Sequence, residues 1–152
     1  MPTVTAAERP ILLVEDSARD AELLLDALDG DLDAGRIVHV RDGVEALAFL
    51  RREGAFAARV GQQPALILLD LKMPRMNGME LLAVVKADEA LRQIPVVLMT
   101  SSQQDQDLSA AYRLGVNAYV RKPLEFDAFI RTARHVIVFW ATLNLLPTLD
   151  PE

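Results

Sequence analysis

Short apolar runs alternating with longer amphipathic stretches restrict this chain more than any other feature. Ile11-Leu12-Leu13-Val14, Ala65-Leu66-Ile67-Leu68-Leu69, Val96-Val97-Leu98-Met99 and Ala118-Tyr119-Val120 read as strands, and Arg36 to Val40 as a further one. Each is followed by a segment with helical periodicity. Such alternation is the signature of a parallel sheet with crossover helices. Right-handed crossovers with helices on both faces favour five strands in the order 2-1-3-4-5, a doubly wound α/β fold of the flavodoxin-like kind.

The helices carry their own punctuation. Ser17 is the expected N-cap of the first, with Ala21, Leu24, Leu25 and Leu28 on its buried face and Gly30 as its stop. Asp42 followed by Glu45 has capping-box spacing for a second helix running to about Arg52. Gly54 to Gln63 is a long connection, expected to be irregular. Asn77 or Gly78 opens a third helix with Leu81, Leu82, Val84 and Val85 inward. Pro95 stands at the start of the fourth strand, a position proline tolerates. Ser101 or Ser102 should cap a fourth helix with Leu108, Ala111 and Tyr112 as its apolar side and Gly115 as its end. Leu124 should open the fifth. We expect a loose tail over residues 1–9, one domain over 10–140 and a C-terminal arm over 141–152.

Composition removes several function classes. A net charge of −6 disfavours nucleic acid as a partner, since that binding needs a positive face. With no cysteine, thiol nucleophiles, disulfides and cysteine-held metals are excluded. The start, Met1-Pro2-Thr3-Val4-Thr5, lacks the basic-then-apolar pattern of a signal peptide, and no apolar run reaches membrane-spanning length, so a cytoplasmic protein without membrane contact is expected.

The polar residues that matter sit at the carboxyl ends of the strands, where open α/β sheets build their sites. Glu15 and Asp16 end the first strand, Asp70 the third, Thr100 the fourth, and Lys122, before Pro123, follows the fifth. A lone acid there is usually a solvated turn residue; the combination is what points to chemistry. In the 2-1-3-4-5 order strands one and three are neighbours, so three carboxylates crowd together. Two of them about 5 Å apart repel by roughly 3 kcal/mol at an effective dielectric of 20. A cation is therefore expected, and oxygen ligands beside a phosphate substrate suit Mg²⁺. Asp16 and Asp70 are assigned as direct ligands, the main-chain carbonyl of Lys72 as the third, and Glu15 as holding a metal-bound water. With its charge offset, Asp70 can attack an activated phosphorus and become an acyl phosphate. The Lys122 ammonium and the Thr100 hydroxyl can serve the remaining equatorial oxygens. A cis Lys122–Pro123 bond would aim the ammonium into the cleft, although such bonds are a minority.

These segments resemble the receiver domain of two-component response regulators. Val14-Glu15-Asp16, Leu69-Asp70-Leu71-Lys72-Met73-Pro74 with Asn77-Gly78, Met99-Thr100-Ser101 and Val120-Arg121-Lys122-Pro123 stand in receiver order and at receiver spacing, over residues 11 to about 138. The resemblance implies that Asp70 is the phosphoacceptor, Glu15 and Asp16 the metal-binding acids, Thr100 the switch hydroxyl, Tyr119 the switch aromatic and Lys122 the phosphate-binding lysine. Glu15 replaces the aspartate of many receivers. Glu15-Asp16-Ser17, the lengthened segment before strand three and the tail Phe139-Trp140 with Leu146-Pro147 look like the phytochrome-associated single-domain group. That likeness implies a sensor histidine kinase as phosphoryl donor, with a bacteriophytochrome as the candidate; because the sequence ends soon after the receiver, no DNA-binding output domain is expected.

Other readings are weighed against this one. A phosphatase of the haloacid-dehalogenase type also uses an aspartyl nucleophile with Mg²⁺, threonine and lysine, but it places a general-acid aspartate where this chain has Lys72. A phosphate-independent module with a degenerate pocket is disfavoured because every pocket residue is present. His39 and His135 are placed away from the strand-end acids and serines, which disfavours a hydrolase triad. Met73 and Met76 read as packing residues, Tyr119 alternatively as an edge-strand aromatic, and Lys72 as a solvated side chain or a residue that tunes dephosphorylation. The last helix has two apolar stripes. Phe126, Phe129, Ile130, Ala133 and Ile137 suit the sheet, whereas Val136, Phe139, Leu143 and Leu146 form a face one domain cannot cover. Either the tail folds back on its own domain, or a homodimer forms through helix four, strand five, helix five and the arm; the dimer is favoured.

Overall fold

A computed structural model describes residues 9–147. Five parallel strands, β1 (Ile11–Val14), β2 (Ile37–Val40), β3 (Leu66–Leu69), β4 (Val96–Thr100) and β5 (Ala118–Arg121), form one sheet in the order β2-β1-β3-β4-β5. The helices are α1 (Ala18–Leu28), α2 (Gly43–Arg51), α3 (Gly78–Ala87), α4 (Asp105–Leu114) and α5 (Phe126–Val138), the last running on as a π-helical turn over Phe139–Leu143. The architecture is the one the strand-helix alternation predicts.

Side chains along a strand alternate between faces, and here both faces are covered. Leu12, Val14, Ile67, Leu69, Val96 and Leu98 join Ala46, Leu50, Leu81, Leu82 and Val85 in the core beneath α2, α3 and α4. Ile11, Leu13, Leu66, Leu68, Val97 and Met99 join Leu24, Leu28, Phe129, Ala133 and Ile137 beneath α1 and α5. Burial on both sides explains why these strands read as unbroken apolar runs. The register pairs Val14 with Leu69 and Leu69 with Leu98, so the residues just past β1 and β3 leave the sheet at the same level.

Helix starts follow capping chemistry, with two departures. Ser17 accepts from the Asp20 amide and Asp42 from the Glu45 amide, as expected. Glu45 does not complete the box; its carboxylate pairs with Arg41 instead. A full capping box forms at Asn77, which accepts from the Glu80 amide while Glu80 accepts from the Asn77 amide. Neither Ser101 nor Ser102 is the N-cap of α4. Gln104 occupies that place, because the Ser102 hydroxyl is taken up in donating to Asp107 at 2.6 Å and accepting from the Gln104 amide. Nor does Leu124 open α5. Glu125 caps it by accepting from the Asp127 and Ala128 amides, which leaves Leu124 exposed. Tyr112 is exposed rather than inward, and Ala111 with Val116 carries that contact with the core. Val84 is half-buried against the same core.

The second stripe of the last helix divides. Val136 and Leu146 pack against the α1–α5 core, whereas Phe139 and Leu143 are 47% and 70% exposed. Arg9, expected in the loose tail, is buried and donates to the Pro147 carbonyl at 2.8 Å; residues 1–8 and 148–152 lie outside the described range. The Gly54–Gln63 connection is partly ordered. It holds a 3₁₀ turn over Gly54–Phe56, Arg59 lies over the Phe49 ring at 4.0 Å, and buried Gln63 donates to the Leu50 carbonyl. Among the described residues no helix is long and apolar enough to cross a membrane.

Candidate functional site

The register brings Glu15 and Asp70 side by side at the carboxyl edge of the sheet. Glu15 continues the β1 ladder by one bond, its amide donating to the Val40 carbonyl at 3.0 Å, so its position is set by the sheet. Its side chain is buried and accepts from the Ser17 amide at 3.2 Å. Asp70 accepts weakly from the Lys72 amide at 3.4 Å through Oδ1. Lys122 Nζ lies 3.6 Å from Glu15 Oε1 and 3.7 Å from Asp70 Oδ2, a single ammonium shared by two carboxylates. Two other contacts hold it there. Its amide donates to the Thr100 carbonyl at 2.7 Å, which ties the end of β5 to β4. Its ammonium also sits 4.7 Å from the centre of the Phe129 ring, on α5. No cis bond is needed to aim it, since no peptide bond among the described residues is cis.

Of the three acids expected to crowd, Glu15 and Asp70 share one ammonium, that of Lys122. Burial is the largest influence on Glu15 and pushes its carboxyl up to about 7, with Asp16 and Asp70 adding to the rise and Lys122 and the Ser17 amide opposing it. Asp16, the next residue along, is exposed. No group of three or more acidic, histidine or cysteine side chains among the described residues is arranged to hold a metal. The Lys122 ammonium offsets part of the repulsion between these acids. The donor set of carboxylate and carbonyl oxygens without nitrogen or sulfur remains that of a hard divalent ion.

Thr100 is fully buried, and its Oγ1 accepts from the Ser102 amide at 3.1 Å. Tyr119, one strand over, packs its ring against the α2–α4 core, with its hydroxyl buried and without a hydrogen-bond partner. The ring of this expected switch residue thus stands inward. Lys72 is exposed and lines an open groove of about 490 Å³ together with Met73, Asn77, Gln104 and Asp107.

Three features were not expected from the sequence. His39, placed away from the strand-end acids, has Nε2 at 2.6 Å from the Glu15 main-chain oxygen; because a carbonyl only accepts, Nε2 carries the proton. The contact is to backbone, not to the carboxylate, and forms no triad. The Phe129 ring under Lys122 carries only a sheet-facing signal in the sequence. The pair of Asp42 and Arg75, 2.7 Å apart, joins residues distant in sequence and left no local signal.

Comparisons with known proteins agree on a family. Residues 11–134 match the response regulator receiver domain. The probable methanogenesis regulatory protein FilR2 of Methanothrix harundinacea is 42% identical, over 95% of this chain and 92% of that one. Response regulator Rcp1 of Synechocystis is 36% identical, over 90% of this chain and 92% of its own length. A manganese-bound form of Rcp1 superposes with a TM-score of 0.81, covering 91% of this chain and 99% of that one. The bacteriophytochrome response regulator RtBRR is 50% identical, with a TM-score of 0.69, over 92% of this chain and 84% of that one.

Proposed function

The chain belongs to the response regulator receiver-domain family, and on that premise we propose that Asp70 is its phosphoacceptor and a sensor histidine kinase its donor. An Asp70 carboxylate oxygen forms a bond to phosphorus as the bond from phosphorus to the donor's imidazole nitrogen breaks; the electron pair stays on that nitrogen and the other ring nitrogen keeps its proton, leaving an acyl phosphate on this chain and a neutral histidine on the kinase. The observation that carries this reading is the Lys122 ammonium held between Glu15 and Asp70, where the sheet register brings the strand ends together. A kinase belonging to a bacteriophytochrome is favoured by the likeness to RtBRR.

Asp16, Asp70 and the Lys72 carbonyl are the groups that would hold Mg²⁺, with Glu15 acting through water; the all-oxygen donor set fits it. When bound, the ion supplies positive charge that screens the carboxylates and the incoming phosphoryl oxygens. The remaining work belongs to this chain. Lys122 turns its ammonium from Glu15 to a phosphoryl oxygen. Thr100 donates a hydrogen bond from its hydroxyl to another, and its shift toward the phosphoryl group favours the inward position of Tyr119. The chain acts as an acceptor whose chemistry is confined to its own phosphorylation and dephosphorylation. Its output is a changed affinity for partners or for a second copy. The exposed Phe139 and Leu143 continue the α5 side of the domain and suit a homodimer through α4, β5, α5 and the arm.

Incubation with Mg²⁺ and acetyl phosphate followed by intact-mass measurement tests the acceptor. One adduct of about 80 Da is expected on the wild type and none on Asp70→Asn. Phosphate release without an adduct would support a phosphatase instead, and no adduct with any small donor would support a phosphate-independent module.

A further inference from the structure

The loop between Asp70 and α3 is fastened at two places. At its base the Gly78 amide donates to the Leu71 carbonyl at 2.9 Å. At its tip Arg75 Nε donates to Asp42 Oδ2 at 2.7 Å, and the Gly43 amide donates to the Met76 carbonyl at 3.1 Å. The tip contact is closely fitted: a Cβ on Gly43 would come within 2.7 Å of the Met76 Cβ. Asp42 is no ordinary surface acid. Its side chain is only 7% exposed, and its other oxygen caps α2. Burial works to raise its carboxyl, yet the Arg75 guanidinium and the Glu45 and Val44 amides outweigh it and hold the group below its usual range.

The backbone of Arg75 adds a second observation. Its φ is +64°, a left-handed conformation that a side chain of this size disfavours. Such a residue persists where its surroundings over-determine it, and such positions cluster at functional sites. Lys72, Met73 and Pro74 are what lies between the two anchors.

We propose that Arg75 is a positioning residue for the phosphoacceptor site: by drawing its loop onto Asp42 it fixes where the Lys72 main-chain carbonyl stands relative to Asp70, and so sets the affinity for the divalent cation. This rests on the metal site given under the proposed function. Arg75 touches neither cation nor phosphoryl group. It acts as the outer partners of metal ligands do, by restricting the ligand's freedom before the ion arrives.

The test uses the full chain, with Mn²⁺ as probe and the free ion counted by electron paramagnetic resonance. Arg75→Gly and Asp42→Asn should each raise the Mn²⁺ dissociation constant about tenfold. Asparagine keeps the cap of α2, so the second variant removes the charge rather than the helix start. Arg75→Lys keeps a cation and should lose no more than about threefold. Glycine is at ease at this φ and offsets part of the lost pairing with Asp42, so Arg75→Gly in EDTA should stay cooperatively folded with only a small fall in midpoint. At saturating Mg²⁺ its labelling by acetyl phosphate should return to within about twofold of wild type, an effect on metal dependence and not on the transfer step. An unchanged Mn²⁺ constant in Arg75→Gly overturns the proposal. So does a fall of the EDTA midpoint in step with the loss of binding, which would make the residue merely structural. A wild type that takes up no Mn²⁺ at millimolar concentration instead sinks the metal site itself, and this inference with it.

Discussion

Replacing Glu15 by glutamine should make the metal-free protein more stable, and more so as the pH rises. The folded chain holds this carboxyl at about 7 against an ordinary 4.5, chiefly because it is buried. Between those values the folded state keeps a proton that the unfolded state has released. Its stabilising contribution is complete below 4.5, and it is lost as pH rises through 7. A shift of this size corresponds to a little over about 3 kcal/mol in all, of which about 2–3 kcal/mol is lost between pH 5 and 8. Glutamine has the same shape and no proton to lose. Urea unfolding of both proteins in EDTA at pH 5 and pH 8 cancels every titration they share. The advantage of Glu15→Gln should widen by about 2–3 kcal/mol at the higher pH. Saturating Mg²⁺ at pH 8 should narrow the gap by stabilising the wild type. A gap that stays constant with pH would refute the claim that burial of an ionised Glu15 burdens the fold.

Two further outcomes follow from the packing. Gly78→Ala places a Cβ against the Asp70 carbonyl oxygen and within 2.9 Å of the Leu71 Cα, both backbone, so the loop must shift. It should cost about 1–3 kcal/mol in chemical unfolding, and acetyl phosphate labelling should fall with it; wild-type labelling would contradict the close fit. Phe139 is 47% exposed, so Phe139→Glu should fold normally. Sedimentation at micromolar concentration should find two chains for the wild type and one for this variant; a monomer in both cases removes the dimer.

The sheet order and both helix layers were legible because strands buried on two faces have no choice but to read as apolar runs. Ser17, Asp42 and Asn77 were legible as helix starts for a similar reason: a cap acts on amides two or three residues away. Local chemistry misled where a side chain had a competing partner. Ser102 looks like a cap for α4 but is engaged by Asp107 and the Gln104 amide. Glu45 looks like half of a capping box but pairs with Arg41. At the site, strand-end position located Glu15, Asp70 and Lys122 together, since the register fixes them. That Lys122 pairs with both acids at once was not legible, because the Thr100 and Phe129 contacts that hold it there come from separate elements. Arg75 with Asp42, and Arg9 with Pro147, join distant parts of the chain through polar contacts that leave no periodic trace.

The central claim is that a phosphoryl group arrives on Asp70 and nowhere else. Borohydride reduces an acyl phosphate of aspartate to homoserine, so peptide mass spectrometry after labelling with acetyl phosphate and Mg²⁺ locates the acceptor. Homoserine at position 70, absent when EDTA replaces Mg²⁺, is the expected result. Homoserine at Asp16 or another acid, or none in protein that demonstrably carries the phosphoryl adduct, would contradict it.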